Sequence, residues 1–537
     1  MRGVLDRVCR TVPAVLIVGL AALIAGPAAA PAGAAPDAAW RPAFAGSSEA
    51  TSYPPIKPGP ATTLPDFIGS AVAARPLPSA QVPQDPALGP NPFAYVHNDS
   101  WNSDTAGVPG PLGNDLQVVS STLGLPDVLY HTGSASTTTF DRQGRLITWF
   151  ADTAGQRLLL QDPVTLDVLC SYPLGGGGGT GSLGSCYFYV DNDDRVVIAY
   201  GPREIVTLQE GGTAAAPSFE LAQDGRYDLS SVIPVDDHIA GLLPDWKGRI
   251  WFQTAGAGEQ DGARVGVVDP ATAQVKWAQL PAGELVENGL AVDKTGSYVL
   301  TSAALYKFTA GPDGQPRRAW RAPYDHSVDK SQLGQLAHGS GTSPTILGGG
   351  RYVAINDSAE QMHVLVFRTA TKLRPGQHRR VGSIAVFKGQ AGQSCADSLL
   401  GYRDTIVVEN NYGYMWSWGA DGVPTSTANL PGLECIRITK GEKLVKVWEN
   451  DEVASNTVPK LSTKTGLVYV VARKQDPAGT AVYYLTALDH RTGTVVWQKR
   501  TGAGINWDGY WAGPMLGPDG SLYFTVYGGL VALRDGD

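Results

Sequence analysis

Short apolar stretches alternate with turn residues along most of the chain, and this arrangement repeats. Each repeat has a small or polar beginning, a short apolar strand, a tight turn with Asp or Gly, and a second strand rich in Val, Ile, Tyr, Phe or Trp. Two such strands around a tight turn indicate a β-hairpin. The copies are STTTFDRQGRLITWF, SCYFYVDNDDRVVIAY, HIAGLLPDWKGRIWFQ, NGLAVDKTGSYVL, TSPTILGGGRYVAIN, DSLLGYRDTIVVEN, TVPKLSTKTGLVYVV and WAGPMLGPDGSLYFTV.

The spacing of these eight copies predicts the architecture. They begin roughly every 40 to 60 residues, which is the length of a β-propeller blade with some loop elaboration. Further strands follow several copies around a D-x-x-T turn, as in LTALDHRTGTVVWQK. The last repeat ends one strand short, and LQVVSST near Leu116 could fill the vacancy. We expect a single β-propeller of eight blades, with seven as the alternative, closed by an N-terminal strand.

Composition agrees with an all-β fold. The chain has 65 Gly and 38 Pro in 537 residues, so it is rich in turns, and 43% of its residues are hydrophobic. Only 17% are charged and four are Met, which leaves little material for long surface helices.

The N-terminus predicts export. Arg2, Arg7 and Arg10 precede the apolar run VPAVLIVGLAALIAG, and small residues follow near Ala30 and Ala35. A membrane anchor is the alternative, but the run is shorter than the ~20 residues that a spanning helix needs. We assign residues 1–35 to a signal peptide, 36–92 to a Pro/Ala-rich extended segment on the surface and 93–537 to the propeller. The mature protein is expected to be secreted and extracellular.

Charge limits the expected partners. Loss of residues 1–35 removes three Arg and one Asp, so the formal net charge moves from -8 to -10. This argues against nucleic acid and, after signal cleavage, against a membrane surface. The expected partner is a small molecule or a glycan, and the protein is expected to be a monomer.

Four cysteines remain in the mature chain: Cys170, Cys186, Cys395 and Cys435. Their even number and their spacing suggest the disulfides Cys170–Cys186 and Cys395–Cys435 in an oxidising compartment. Free or metal-binding thiols are the alternative.

Two stretches resemble known propeller families. LTALDHRTGTVVWQK resembles a blade of the quinoprotein, PQQ-dehydrogenase-like propellers, which implies PQQ as one possible cofactor. VENGLAVDKTGSYVL is similar to a segment of the gluconolactonase/strictosidine-synthase-like propellers. In that family a Glu and Asn residues from separate blades hold a cation that polarises a lactone or ester carbonyl, and Asn288 maps onto a ligand position. A count of eight blades departs from the six of that family.

Blade geometry sorts the candidate residues onto two faces. The inter-blade loops and the turns between second and third strands share one face, here called the upper face. The turns between first and second strands lie on the other, lower face, where Asp141, Asp293 and Asp519 are expected to bond their own backbone, with Gly144, Gly296 and Gly520 at positive φ.

The upper face gathers polar residues from different blades around one central funnel. Carboxylate and amide oxygens held by a rigid ring suit Ca²⁺. The candidate ligands are Glu287, Asn288, Asn356, Asp357, Glu409, Asn410 and Asp508. Asn288 could instead cap its own turn. His238 and His338 are candidates for the general base, because imidazole titrates near neutrality, although a buried structural His is the alternative.

Aromatic residues near the same face are candidates for substrate binding. Trp507, Tyr510 and Tyr412 could form a wall for a sugar or an apolar molecule, or they could pack between blades. The polar run HNDSWNSD, residues 97–104, could cover the funnel, but we interpret it as a cap on the extended N-terminal segment.

Three functions fit this pattern. The first is a metal-assisted lactone or ester hydrolase or a related small-molecule enzyme, the second a non-catalytic binding protein for a glycan, peptide or protein, and the third a PQQ enzyme. The sequence has no G-x-S-x-G, P-loop or H-E-x-x-H motif, so it gives no support to a serine-hydrolase elbow, nucleotide binding or zincin chemistry. Fold alone does not choose among the three, because propellers host enzymes and binders alike.

Overall fold

The computed structural model describes residues 50–123, 134–152, 155–175, 186–256, 262–326, 333–335, 339–418 and 424–536. It is an eight-bladed β-propeller, as the repeat predicts. In chain order the strands are β1 Phe67–Gly69, β2 Thr105–Ala106, β3 Gln117–Ser121, β4 Ser134–Phe140, β5 Leu146–Asp152, β6 Gly155–Gln161, β7 Val168–Pro173, β8 Tyr189–Val190, β9 Val196–Tyr200, β10 Glu204–Thr213, β11 Ala216–Asp228, β12 Ile239–Pro244, β13 Ile250–Thr254, β14 Arg264–Asp269, β15 Gln274–Gln279, β16 Ala291–Asp293, β17 Gly296–Leu300, β18 Ala304–Ala310, β19 Pro316–Pro323, β20 Thr345–Leu347, β21 Tyr352–Asn356, β22 His363–Arg368, β23 Arg380–Ala385, β24 Leu400–Tyr402, β25 Thr405–Glu409, β26 Trp416–Trp418, β27 Pro424–Ser426, β28 Leu433–Ile438, β29 Leu444–Asn450, β30 Lys460–Ser462, β31 Leu467–Gln475, β32 Ala481–Asp489, β33 Val495–Ala503, β34 Met515–Leu516, β35 Leu522–Val526 and β36 Gly529–Arg534.

Each blade is a four-stranded antiparallel sheet whose first strand lies nearest the axis. Blades 1 to 5 are β4–β7, β8–β11, β12–β15, β16–β19 and β20–β23. Blade 6 is β24, β25, β28 and β29, with the hairpin β26–β27 inserted on the upper face, and blade 7 is β30–β33. Blade 8 is β34–β36 completed by β3.

The ring closes through strand β3, as predicted. β3 pairs antiparallel with β36, from Gln117 opposite Arg534 to Ser121 opposite Leu530. The N-terminal and C-terminal parts of the chain therefore share one blade, and the edge of β36 is covered.

The chain before β3 follows the outside of the ring. Thr51 bridges to Val168 in blade 1, and β1 adds to the outer edge of blade 7 beside β33. The chain then crosses the lower face, where Gly89 donates to the carbonyl of Val190 in blade 2. Within the part of the chain that the structure describes, no helix is long and apolar enough to cross a bilayer.

The lower-face turns are built as predicted. Asp141 Oδ1 accepts the backbone N–H of Arg145, Asp293 Oδ1 that of Thr295 and Asp519 Oδ1 that of Ser521. Gly144, Gly296 and Gly520 have φ values of 81°, 155° and 80°. Between the blades the core consists of buried apolar residues, including the fully buried rings of Trp149, Trp251 and Trp497, each contributing about 1.5–3 kcal/mol or more on burial.

The prediction of two disulfides is wrong. Cys170, Cys186, Cys395 and Cys435 are all buried thiols. Cys170 lies in the outermost strand of blade 1, whereas Cys186 precedes the innermost strand of blade 2. Cys435 lies two strands outward from β24, while the Cys395 thiol donates to the carbonyl of Asp397 before that strand. Neighbouring strands are about 4.8 Å apart, so both pairs exceed the reach of a disulfide.

A substitution at Gly529 tests how β3 closes the ring. This residue has φ of 142°, and a Cβ added there would lie 2.0 Å from the carbonyl oxygen of Ser121. We expect Gly529→Ala to push β3 off β36 and to lower the free energy of unfolding by about 3 kcal/mol, measured by urea denaturation. The matched control is Gly349→Ala, which also has positive φ but nothing within 4 Å and is expected to cost about 1 kcal/mol. Equal losses would contradict the steric argument.

Candidate active site in the axial channel

Residues 93–106, here called the axial segment, fill the lower part of the central channel. Their carbonyls accept backbone N–H groups from the innermost strands of six blades. The donor and acceptor pairs are Phe140 to Phe93, Val190 to Ala94, Val292 to Ser100, Ile346 to Trp101, Gly401 to Ser103 and Leu461 to Asp104, at 2.7 to 3.1 Å. The interpretation of HNDSWNSD as a cap on the extended segment is therefore wrong, because this run lies on the axis and closes the funnel from below.

His97 is the centre of a chain of polar contacts. Its Nδ1 lies 3.1 Å from both carboxylate oxygens of Asp104, and its Nε2 lies 3.3 Å from the hydroxyls of Ser343 and Ser398. A nitrogen that faces a carboxylate must carry the proton, so Nδ1 donates to Asp104. Nε2 then has its lone pair directed at the two serine hydroxyls.

Lys460 holds the carboxylate of Asp104. Its side chain is 1% exposed and forms an ion pair with Asp104, and its Nζ also donates to Val96 O at 2.6 Å and to Asn98 Oδ1 at 2.7 Å. Burial lowers the pKa of Lys460, and the charge of Asp104 opposes that shift. The ammonium group thus contacts the same carboxylate that accepts His97 Nδ1–H.

The upper side of His97 faces the mouth of the channel. The Tyr187 ring lies 6.1 Å from the His97 ring, and its hydroxyl donates to Asn288 Oδ1 at 2.8 Å. The Asn288 amide donates in turn to the Gly341 carbonyl in the next inter-blade loop. Tyr187, Asn288 and Glu287 are partly exposed, whereas His97 beside them is 3% exposed. Asn288 thus links two blades instead of capping its own turn.

Asp397 and Glu409 form a buried pair of carboxyl groups at the upper end of blade 6. They are 2% and 1% exposed and in direct contact. Asn411 Nδ2 donates to both, at 3.0 and 3.2 Å. Burial raises the pKa of each, and the neighbouring Glu409 raises that of Asp397 further. Both carboxyl groups therefore hold a proton more strongly than exposed carboxyl groups do.

Asp508 is saturated by hydrogen bonds. Its carboxylate accepts from the hydroxyls of Tyr414, Ser426 and Tyr483, the amide of Asn456 and the backbone N–H of Tyr510. These donors come from the inserted hairpin and its approach, from blade 7 and from the loop before blade 8. The carboxylate therefore connects these elements.

The other predicted ligands are also engaged in structural bonds. Asn356 Nδ2 donates to the carbonyls of Ser340 and Cys395, and Asp357 accepts from the backbone N–H and Nδ1 of His363. Asn410 Oδ1 accepts the N–H groups of Ser394 and Tyr412. Among the described residues no three His, Cys, Asp or Glu side chains form a metal-binding group. Binding of Ca²⁺ by the seven candidates and binding of PQQ both remain predictions.

Of the two predicted general bases, His238 belongs to the loop before blade 3. Its backbone bonds are to Asp237 Oδ1 and to the N–H of Ala255, and burial lowers its pKa against the opposing charge of Asp237. Nothing in these contacts brings it to His97. His338 lies outside the described residues.

The three predicted aromatic residues have different surroundings. Trp507 is 3% exposed and donates Nε1 to the carbonyl of Lys57 at 2.7 Å, so it is a packing residue. Tyr510 is partly exposed, 6.3 Å from the rings of Trp511 and Tyr527. Tyr412 is partly exposed beside Gly392. Ligand contact by these two tyrosines stays a prediction.

Sequence reasoning missed His97, Asp104, Ser343, Ser398 and Lys460 as a site. One signal was present. Ser343 and Ser398 each stand two residues before the inner strand of their blade, β20 and β24. Equivalent hydroxyls in adjacent repeats point to the same place on the axis.

Comparison with known proteins assigns no family. No protein-family description matches the chain. An uncharacterized protein of Archaeoglobus fulgidus is 26% identical over 345 residues, which are 58% of this chain and 64% of that protein, just under two thirds of its length.

Three of the solved structures that match the chain are 12% or 13% identical to it. Streptogramin B lyase is 12% identical with a TM-score of 0.39, covering 78% of this chain and 97% of that one. Chaetomium thermophilum Sqt1, bound to the N-terminus of ribosomal protein L10, is 12% identical with a TM-score of 0.45, covering 76% and 98%. A candidate 6-phosphogluconolactonase from Bacteroides uniformis is 13% identical with a TM-score of 0.33, covering 56% and 80%. The chain is a β-propeller repeat protein, as its two resembling stretches predicted.

Proposed function

We propose that the protein is a secreted hydrolase that cleaves a small carboxylic ester or lactone at the mouth of its axial channel. The observation that supports this most directly is the position of His97, between the Asp104 carboxylate at 3.1 Å and the Ser398 hydroxyl at 3.3 Å. A nucleophile, a base and a residue that orients the base, in this sequence of contacts, are the requirements for acyl transfer.

The proposed reaction begins with attack of Ser398 Oγ on the substrate carbonyl carbon. The hydroxyl proton passes to His97 Nε2, and the same proton then goes to the departing alcohol oxygen as the ester bond breaks. Water next attacks the acyl-serine and gives a proton to Nε2. Nε2 returns this proton to Ser398 Oγ as the bond between Oγ and the acyl carbon breaks, which releases the acid and restores the serine. Asp104 stabilises the transient imidazolium without taking its proton.

Ser398 is the better nucleophile of the two serines that face His97. It is 5% exposed, whereas Ser343 is fully buried and also hydrogen-bonds with the Tyr187 hydroxyl. Ser343 is therefore a positioning residue that holds Tyr187 beside His97.

The charge around the mouth favours an uncharged or cationic substrate. Glu287 is partly exposed, although both of its carboxylate oxygens are buried, and Asp397, which precedes Ser398 in the same loop, contacts Glu409. A negatively charged ester would be repelled by these carboxylates. This feature separates the proposed substrate from sugar phosphates.

Covalent labelling tests the proposal. We expect a fluorophosphonate probe to modify the mature protein at Ser398, because such probes react with serines that a histidine activates. Peptide mapping by mass spectrometry should locate the adduct. Ser398→Ala should abolish labelling.

Ser340→Ala is the matched control, because this buried hydroxyl stands in the same loop as Ser343 and has no hydrogen-bond partner among the described residues. It should label like the parent protein. Labelling that persists in Ser398→Ala, or an ester that is retained without turnover, would contradict the proposal and favour a non-catalytic binding protein.

A further inference from the structure

A second cleft, separate from the channel mouth, lies on the lower face between blades 6 and 7. Its volume is about 320 Å³. One side is formed by the β24–β25 turn with Arg403, another by the β32–β33 turn with His490 and Arg491, and its floor includes Arg437 of β28. A cleft of this size accommodates a small organic molecule.

The cleft concentrates positive charge in an acidic protein. Arg403 donates to the carbonyl of Ser79, and Arg491 donates to the carbonyls of Arg75 and Pro76. These acceptors are neutral. None of Arg403, Arg437 and Arg491 forms an ion pair with a residue that the structure describes. The one carboxylate lining the cleft, Asp404, is exposed and faces Arg351 at 3.4 Å. Guanidinium groups that are not paired with a carboxylate are suited to binding an oxyanion.

His490 lines the same cleft, with its Nδ1 buried away from solvent. The residue is 5% exposed, and its Nε2 lies 3.4 Å from Thr405 Oγ1. The Thr405 hydroxyl already donates to the Tyr402 carbonyl, so Nε2 carries the proton and Nδ1 has only its lone pair. Among the described residues Nδ1 has no hydrogen-bond partner. Burial, then Arg491 and Arg437, lower the pKa of His490 to about 4, while Asp489 opposes this shift.

We propose that this cleft binds a small organic anion. Its oxygens would contact the guanidinium groups of Arg437 and Arg491, and its apolar part would contact Leu77 and Val447, which line the opposite wall. A bound anion would also stabilise the imidazolium of His490 through its negative charge. Binding is therefore expected to take up a proton and to become tighter as the pH falls.

Calorimetric titration of the mature protein with benzoate and with inorganic phosphate tests this site. We expect Arg437→Gln to weaken binding about tenfold or more and Arg317→Gln to have no effect, because Arg317 is a similarly exposed arginine paired with Asp313 in blade 4. In NMR spectra the His490 ring should titrate at a higher pH when the anion is present.

Binding of benzoate alone supports an apolar carboxylate as ligand, and binding of phosphate as well supports oxyanions in general. No binding of either probe, equal binding by the two arginine variants, or a His490 titration that the anion leaves unchanged would overturn the proposal. Ser398→Ala should bind the anion normally, so failure of the proposed hydrolase would not affect this result.

Discussion

Lys460→Met is expected to lower the free energy of unfolding by about 3–5 kcal/mol, measured by urea denaturation. The methionine side chain fills a similar volume but leaves the buried carboxylate of Asp104 without its cation. It also leaves Val96 O and Asn98 Oδ1 without the ammonium donor. Breaking a buried ion pair on one side is costly because the remaining charge cannot reach water.

The control separates this effect from the loss of a lysine as such. Lys499 pairs with Asp66, which is 56% exposed, so Lys499→Met should cost no more than about 1 kcal/mol. The double variant Lys460→Met/Asp104→Asn should regain part of the lost stability, since it removes the unpaired charge. A loss in Lys460→Met as small as that in Lys499→Met would contradict the role given to the axial ion pair.

Most of the fold could be predicted from the repeat pattern, because the residues that form each hairpin are close together in the sequence. A strand, a D-x-x-G turn and a second strand lie within some fifteen residues, and Asp141 and Gly144 show that the turn chemistry can be derived from the residue types alone. Even the closing strand β3 was predictable, since the last repeat visibly lacked one strand.

The site was less predictable because its contacts are long-range and its central residues lie outside the repeats. His97 and Ser398 are 301 positions apart, and nothing in the blades indicates that the axial segment enters the channel. The surroundings of Asp508 were also not predictable. Its position before an inner strand suggested a ligand, but the inserted hairpin supplies donors from Tyr414 and Ser426 that the repeat does not contain.

The disulfide prediction was wrong for a related reason. Cys170 and Cys186 are close in sequence, which favours a disulfide when no fold is known. In a propeller, however, the chain crosses from the outermost strand of one blade to the innermost strand of the next between them. Residues on the two sides of an inter-blade connection are therefore close in sequence but far apart in space.

Ser398→Ala is expected to lower kcat for hydrolysis of p-nitrophenyl acetate by about 10³-fold or more, with KM nearly unchanged. The hydroxyl is the only group removed, and the proposed role gives it bond formation with the carbonyl instead of substrate binding. Ser343→Ala should lower kcat far less, because its hydroxyl positions Tyr187 and never bonds to substrate. Ser340→Ala should behave like the parent protein. Activity of Ser398→Ala within a fewfold of the parent would remove Ser398 from the mechanism. A large loss in Ser343→Ala with little loss in Ser398→Ala would transfer the nucleophile to the other hydroxyl that faces His97, since both lie 3.3 Å from the same nitrogen.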